Sequence, residues 1–132
     1  MAVCIAVPAA QSVSTAIRLT RSDGRETARV WIADNIPPGA HIALEAYSAW
    51  ADPQRYEILG LRRITDHKPQ WYIDNGYDYL VFGQDMFSRF YNQPQRYASY
   101  VAEYEAMFST FELVQNFTDG GYQVMIYRVV RP

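Results

Sequence analysis

Residues 26–47, ETARVWIADNIPPGAHIALEAY, decide the fold class of this 132-residue chain. Apolar residues recur at spacings of three and four in its first half, at Ala28, Trp31, Ile32 and Ile36. This spacing predicts an amphipathic helix with one apolar face. Pro37 and Pro38 lack the N–H needed to continue that helix, and Gly39 permits a turn. The mostly apolar run His41–Ala46 then has the length of a strand, so the sequence predicts a layered α/β domain.

The composition indicates one ordinary globular domain and excludes several classes of protein. Apolar residues make up 49% and charged residues 20% of the chain, which is far from the composition of a disordered protein. The net charge is −2, so the basic surface that a nucleic-acid-binding protein needs is missing, and we expect no nucleic-acid partner. Cys4 is the single cysteine, so no intramolecular disulfide can form.

The N-terminal segment permits two interpretations. Residues 2–10 (AVCIAVPAA) are apolar, but they are too few to span a bilayer and have no preceding positive charge. Residues 1–19 are therefore either a first helix with its connector, or the end of a membrane helix that starts outside this chain. Residues 20–132 contain no linker or repeat, so we expect a single α/β domain there.

Strand and helix signals alternate along the rest of the chain. The first helix should begin near Gly24, capped by Ser22 or Asp23, and should end at about Asn35. Further strands are predicted over residues 56–61, 77–82, 111–117 and 122–130, and further helices over residues 66–75 and 95–109. Residues 83–93 fit either a helical turn or an ordered loop, and Pro94 suits the first turn of the helix that follows.

These elements predict a three-layer α/β fold. Strands that are separated by helical segments should pair in parallel, whereas the short Gly120-Gly121 connection predicts an antiparallel C-terminal hairpin. We therefore expect a mixed sheet of about five strands, mostly parallel, with helices on both faces. The strand over residues 77–82 is the richest in aromatic and β-branched residues and should lie centrally.

Sequence motifs for catalysis are missing. The chain contains no GxGxxG, no phosphate-binding loop and no GxSxG elbow. Its only histidines, His41 and His67, are too few for the usual zinc ligand sets, and we expect both to be structural. We therefore predict no catalytic residue, no cofactor and no metal site in this chain.

The best candidates for a binding surface follow the predicted parallel strands. In open α/β sheets, ligands bind outside the carboxyl ends of such strands. The candidate ligand-binding residues there are Glu45, Tyr47, Trp50, Asp85, Arg89 and Tyr91. Aromatic rings beside charged groups suit a polyhydroxylated ligand. The alternative is structural: Tyr47 and Trp50 cover the sheet, and Glu45 pairs with Arg89 or Arg63.

Several short motifs, in this order, resemble the soluble tail of bacterial family 39 membrane glycosyltransferases, which are related to protein O-mannosyltransferases and the aminoarabinose transferase of lipid A. The matching positions are Arg25, Ala28–Ile32, Asn35–Ala40, Glu45–Tyr47, Gly76–Val81, Tyr104–Phe108, Phe111–Val114 and Ile126–Arg128. The resemblance covers about residues 20–131. It implies that residues 2–19 are the end of the last transmembrane helix and a connector.

The resemblance also implies where the domain works and with what. It places the chain on the extracytoplasmic face of the cytoplasmic membrane, tethered beside an enzyme that uses lipid-phosphate-linked sugars. The family's catalytic acid lies in an early loop outside this chain, so no catalytic residue carries over. The expected partners are the membrane portion of the parent enzyme and a glycan or lipid-linked sugar. The alternative function is a free-standing module that binds a carbohydrate-like ligand or a protein partner.

Overall fold

A computed structural model describes residues 23–131 as an α/β domain built on a five-stranded mixed sheet. The expectations for Cys4, for Ser22 as a cap and for an N-terminal helix lie outside the described residues. The elements are α1 (Gly24–Asn35), β1 (His41–Glu45), β2 (Glu57–Leu61), α2 (Pro69–Asp74), β3 (Tyr79–Gly83), α3 (Gln84–Tyr91), α4 (Ala98–Thr110), β4 (Glu112–Phe117) and β5 (Val124–Arg128). Single 3-10 turns occur at Ile64–Asp66 and Asp119–Gly121. Within residues 23–131, no helix is both long and apolar enough to cross a membrane.

Helix α1 forms as its sequence predicts. The Asp23 side chain accepts a 2.8 Å hydrogen bond from the Arg25 N–H and so satisfies one of the free donors of the first turn. Ala28 and Ile32 are buried on its apolar face. Pro37 and Pro38 follow the helix end, and Gly39 adopts φ = 90°, which L side chains rarely adopt.

The strand order in the sheet is β2-β1-β3-β5-β4, so β3 is the central strand, as predicted. Strand β1 pairs in parallel with both β2 and β3. Strand β5 pairs antiparallel with both β3 and β4, so the described sheet has two parallel and two antiparallel pairings, and the prediction of a mostly parallel sheet is wrong.

Buried side chains alternate between two clusters because successive residues of a strand point to opposite sides. Ile42, Val81 and Ile126 belong to the cluster that includes the apolar face of α1. The other cluster includes residues of α3 and α4, and the central strands contribute Ala43 and Phe82 to it. The sheet is therefore covered by apolar contacts from both of its sides.

The structure corrects two predicted helices. The helix predicted over residues 66–75 is shorter and begins at Pro69, because the residue before a proline is disfavoured in the helical region and Lys68 is extended. The helix predicted to start near Pro94 begins at Ala98 instead, after a turn in which Arg96 and Tyr97 donate to the Gln93 carbonyl. Residues 83–93, left open by the sequence, contain helix α3.

Candidate functional site

The carboxyl ends of β1 and β3 lie side by side because the two strands are parallel neighbours. Glu45 ends β1, and its side chain turns into the protein, where the residue is only 2% exposed. One carboxylate oxygen, Oε1, accepts a 3.1 Å hydrogen bond from the Gly83 N–H at the end of β3. The other, Oε2, accepts from the Ile64 N–H at 3.1 Å and from the Tyr104 hydroxyl at 2.6 Å. Through these hydrogen bonds, one buried carboxylate connects β1 to β3, to the 3-10 turn at Ile64 and to helix α4.

Burial sets the protonation behaviour of this carboxylate. Removal from water disfavours the charged form and raises the pKa of Glu45 to about 7. The hydrogen bonds from Tyr104 and from two backbone N–H groups act in the opposite direction, as does the positive charge of Arg63. Burial and the adjacent Glu45 together raise the pKa of Tyr104 well above its ordinary value.

Among residues 23–131, Glu45 forms no ion pair with Arg63 or Arg89, so neither pairing considered from the sequence is present; Arg63 only lowers the pKa of Glu45 through its charge. It acts through its charge at longer range, because its guanidinium forms a 3.1 Å ion pair with Asp66. The same guanidinium lies 4.7 Å from the centre of the Tyr100 ring. Arg89 is engaged elsewhere: its Nε and Nη2 donate to the Asp85 backbone carbonyl.

The turn after β1 carries two large exposed aromatic side chains. Tyr47 is 55% exposed and Trp50 is 58% exposed. Tyr47 adopts φ = 65° and is the only non-glycine residue with positive φ within residues 23–131. Between them, Ser48 is buried and donates a 2.6 Å hydrogen bond to the Glu45 carbonyl. The backbone of this turn is therefore fixed while its two rings point away from the core.

Close backbone packing holds that turn in place. A Cβ atom on Gly83 would lie 2.5 Å from the Tyr47 carbonyl oxygen and 2.7 Å from the Ser48 Cα. The Tyr122 hydroxyl donates to the same Tyr47 carbonyl and accepts from the Asp85 N–H at 3.2 Å. Tyr122 thereby bridges the turn after β1 to the first turn of α3.

Trp50 faces the start of α1 across a shallow depression of about 260 Å³. Two arginines of α1 line it, and each is paired with a carboxylate: Arg25 with Asp23 at 2.7 Å, and Arg29 with Glu26 at 2.5 Å. The Arg25 guanidinium also lies 4.3 Å from the centre of the Tyr122 ring. This edge of the domain thus combines an exposed aromatic pair with charge-balanced arginines.

The six predicted ligand-binding residues do not form a single cluster. Glu45 is interior, Tyr47 and Trp50 are exposed on the turn after β1, and Asp85 and Arg89 lie one helical turn apart on α3. Tyr91 lines a separate groove between α3 and α4, where its hydroxyl donates a 2.5 Å hydrogen bond to Glu105. Among residues 23–131, no three His, Cys, Asp or Glu side chains are placed to hold a metal ion.

Sequence reasoning missed the residues that organise this region. Gly83 and Ile64 act through backbone N–H groups, for which the sequence carries no signal. Tyr104 was recognisable as part of an apolar helical face, but its hydroxyl partner lies 59 residues away. Tyr122 follows the Gly120-Gly121 turn, and nothing in the local pattern distinguishes its bridging role.

Comparison of the chain with family profiles, with curated protein sequences and with solved structures finds no match.

Proposed function

We propose that this chain is a non-catalytic accessory domain at the C-terminus of a polytopic membrane glycosyltransferase that uses lipid-phosphate-linked sugars. In this proposal the domain lies on the extracytoplasmic face of the cytoplasmic membrane and contacts the membrane portion of its parent enzyme. The proposal starts from the motif resemblance over residues 20–131, and its structural support comes from one edge of the domain.

The observation that carries the proposal is the position of two exposed aromatic rings beside the start of the domain. Trp50 lines the same depression as Asp23, the residue to which residues 1–22 are joined, and Tyr47 lies in the same turn. Tyrosine and tryptophan are enriched where proteins meet the membrane–water interface. The twelve residues between Ala10 and Asp23 reach at most about 45 Å when fully extended, so they are long enough to join a membrane-held run 2–10 to this edge.

The backbone of Tyr47 gives independent support for a surface role of its ring. A left-handed conformation costs an L residue about 1–2 kcal/mol relative to the right-handed one, and glycine avoids most of that cost. A bulky exposed tyrosine at φ = 65° is thus unfavourable for stability alone. A requirement for the ring at a contact surface accounts for its presence there.

Two finer features of the fold belong to the same proposal. The apolar contacts on both sides of the sheet support a three-layer arrangement with helices on both faces. The antiparallel pairing of β4 and β5, consecutive in the chain, supports a C-terminal hairpin at the sheet edge.

Sequencing the genomic reading frame upstream of the Met1 codon tests the proposal directly. We expect the frame to continue upstream through about ten apolar segments of roughly 20 residues each, the length that spans a bilayer. An in-frame stop codon followed by a ribosome-binding site just before Met1 would contradict it.

A further inference from the structure

A groove of about 380 Å³ lies between α3, α4 and the start of β5, and neither Tyr47 nor Trp50 lines it. Its polar lining comes from Gln84, Ser88, Asn92, Glu105 and Gln123. We propose that this groove binds a neutral saccharide. Its volume lies at the small end of the ~300–1,000 Å³ typical of small-molecule sites, which suits one or two sugar rings. The site goes beyond the proposed membrane function and does not depend on it.

Two glutamines present fixed, complementary polar groups. The Gln84 Oε1 accepts a 2.7 Å hydrogen bond from the Gln123 N–H, so the orientation of its amide is set. Its Nε2 donors have no protein partner among residues 23–131. The Gln123 Nε2 donates to Asn116 at 2.9 Å, and the Oε1 acceptor of Gln123 has no partner within the same described range. A donor and an acceptor are thus available on two residues that line the groove, as a sugar hydroxyl requires.

Tyr91 and Glu105 line the groove from two different helices. The Tyr91 hydroxyl donates to the Glu105 Oε2, and burial together with this contact raises the pKa of Tyr91. The hydrogen bond occupies one carboxylate oxygen and orients the other, which has no partner in the described part of the chain. A carboxylate oxygen is a strong acceptor for the hydroxyls of a sugar.

The groove also has an apolar lining, whose side chains are held in place by packing. Phe87 and Met125 are nearly buried there, and Phe108 stacks on Tyr127 with ring centres 5.1 Å apart. An apolar lining packs against the C–H surfaces of a sugar ring, while polar side chains bind its hydroxyls. Fixed amides and a carboxylate around an apolar lining are therefore suited to such an amphipathic ligand.

The charge of the groove decides between neutral and anionic sugars. Glu105 is the only charged side chain among the described residues that line it. Asp85 and Arg89 of α3 are not part of the lining, and Arg89 is bonded to the Asp85 carbonyl. A phosphorylated sugar would therefore meet a carboxylate without a compensating cation, so the free sugar is the expected ligand class.

Amide NMR titration of the full 132-residue chain tests this inference. The probes are the methyl glycosides of glucose, galactose and mannose up to about 50 mM, where even millimolar affinities are detected. We expect at least one glycoside to shift the amides of residues 84–92 and 105–108, while glucose 6-phosphate and inorganic phosphate leave them unchanged. The absence of shifts with all three glycosides, or equal shifts with the phosphates, would overturn the inference.

A pair of variants on the same helix makes the test specific. Gln84→Glu keeps the acceptor used by Gln123 but removes the Nε2 donors, and we expect at least about tenfold weaker binding. Arg89→Ala changes α3 outside the groove and should bind within about twofold of the parent protein. Equal affinities of parent and Gln84→Glu, with unchanged thermal unfolding, would place the ligand elsewhere and overturn the inference. These outcomes do not bear on the upstream reading frame, so this inference and the proposed function can fail separately.

Discussion

The Tyr104 hydroxyl and the Glu45 carboxylate, 59 residues apart in the chain, meet in a buried 2.6 Å hydrogen bond. This contact connects helix α4 to the end of β1, and two backbone N–H groups complete the coordination of the same carboxylate. Glu45 therefore stabilises the contacts among β1, β3 and α4 next to the Tyr47–Trp50 turn.

The first prediction concerns this hydrogen bond. Tyr104→Phe removes the hydroxyl without opening a large cavity and should lower the free energy of unfolding by about 1–3 kcal/mol, because a buried carboxyl oxygen loses one of its hydrogen-bond partners. In a Glu45→Gln background the same change should cost clearly less, since the two residues act together. Urea unfolding of the two single variants and the double variant measures this coupling. Additive effects would contradict it. Tyr91→Phe, which removes a partly exposed hydroxyl, is the matched control and should cost less.

The second prediction concerns pH. Folding raises the pKa of Glu45 from 4.5 to about 7, so the folded state favours the protonated carboxyl. The contribution of the protonated Glu45 carboxyl to the unfolding free energy is complete below about pH 4.5 and is lost as the pH rises through 7. The total loss amounts to about 3 kcal/mol. Unfolding free energies of the parent protein and Glu45→Gln, measured between about pH 5 and pH 8, should therefore diverge as the parent weakens. Parallel profiles of the two proteins would refute this assignment.

The third prediction concerns the close packing at the end of β3. Gly83→Ala places a Cβ atom 2.5 Å from the Tyr47 carbonyl oxygen, so the backbone must shift, and the Gly83–Glu45 hydrogen bond shifts with it. We expect a loss of about 2–4 kcal/mol of unfolding free energy, measured by thermal or urea unfolding. Gly60→Ala in β2 is the control: a Cβ atom there meets nothing within 4 Å, and stability should change by less than about 1 kcal/mol. Similar costs for both variants would rule out this explanation.

The fourth prediction separates the ring of Tyr47 from its backbone. Tyr47→Gly relieves the positive φ and should raise the unfolding free energy by about 0.5 kcal/mol, since the relief slightly exceeds the entropic cost of glycine. Tyr47→Ala loses the same ring but keeps the unfavourable backbone, so we expect no gain. Calorimetric unfolding of the parent protein, Tyr47→Gly and Tyr47→Ala measures these differences in unfolding free energy. A marked destabilisation of both variants would show that the exposed ring stabilises the fold and would remove its support for a surface role.

Local signals predicted the elements of this fold well. The cap at Asp23, the Pro-Pro-Gly joint and the strand at His41 follow from backbone chemistry within a few residues, and the structure has them where expected. One exception, at residues 94–97, arises because a proline suits either a helix start or a turn, and the packing of the following segment decides which forms.

The candidate site was less predictable because its contacts are distant in sequence and partly made by backbone. The rule that ligands bind at the carboxyl ends of parallel strands placed Glu45 and Tyr47 together, but it could not indicate that one side chain points inward and the other outward. The groove that contains Tyr91 depends on how α3 and α4 pack, and Tyr91 alone of the six predicted ligand-binding residues lines it.

The proposal that the Tyr47–Trp50 edge faces a membrane is tested most directly by quenching of tryptophan fluorescence with brominated lipids. Trp31→Phe/Trp71→Phe leaves Trp50 as the sole tryptophan, and Trp31→Phe/Trp50→Phe leaves Trp71. Trp71 stacks on Tyr77, whose ring also contacts His41 at the amino end of β1, so it reports from the end of the sheet opposite Trp50. With the full chain bound to phosphatidylethanolamine–phosphatidylglycerol vesicles, we predict strong quenching of Trp50 and little of Trp71. An unquenched Trp50, or equal quenching of both, would contradict the account.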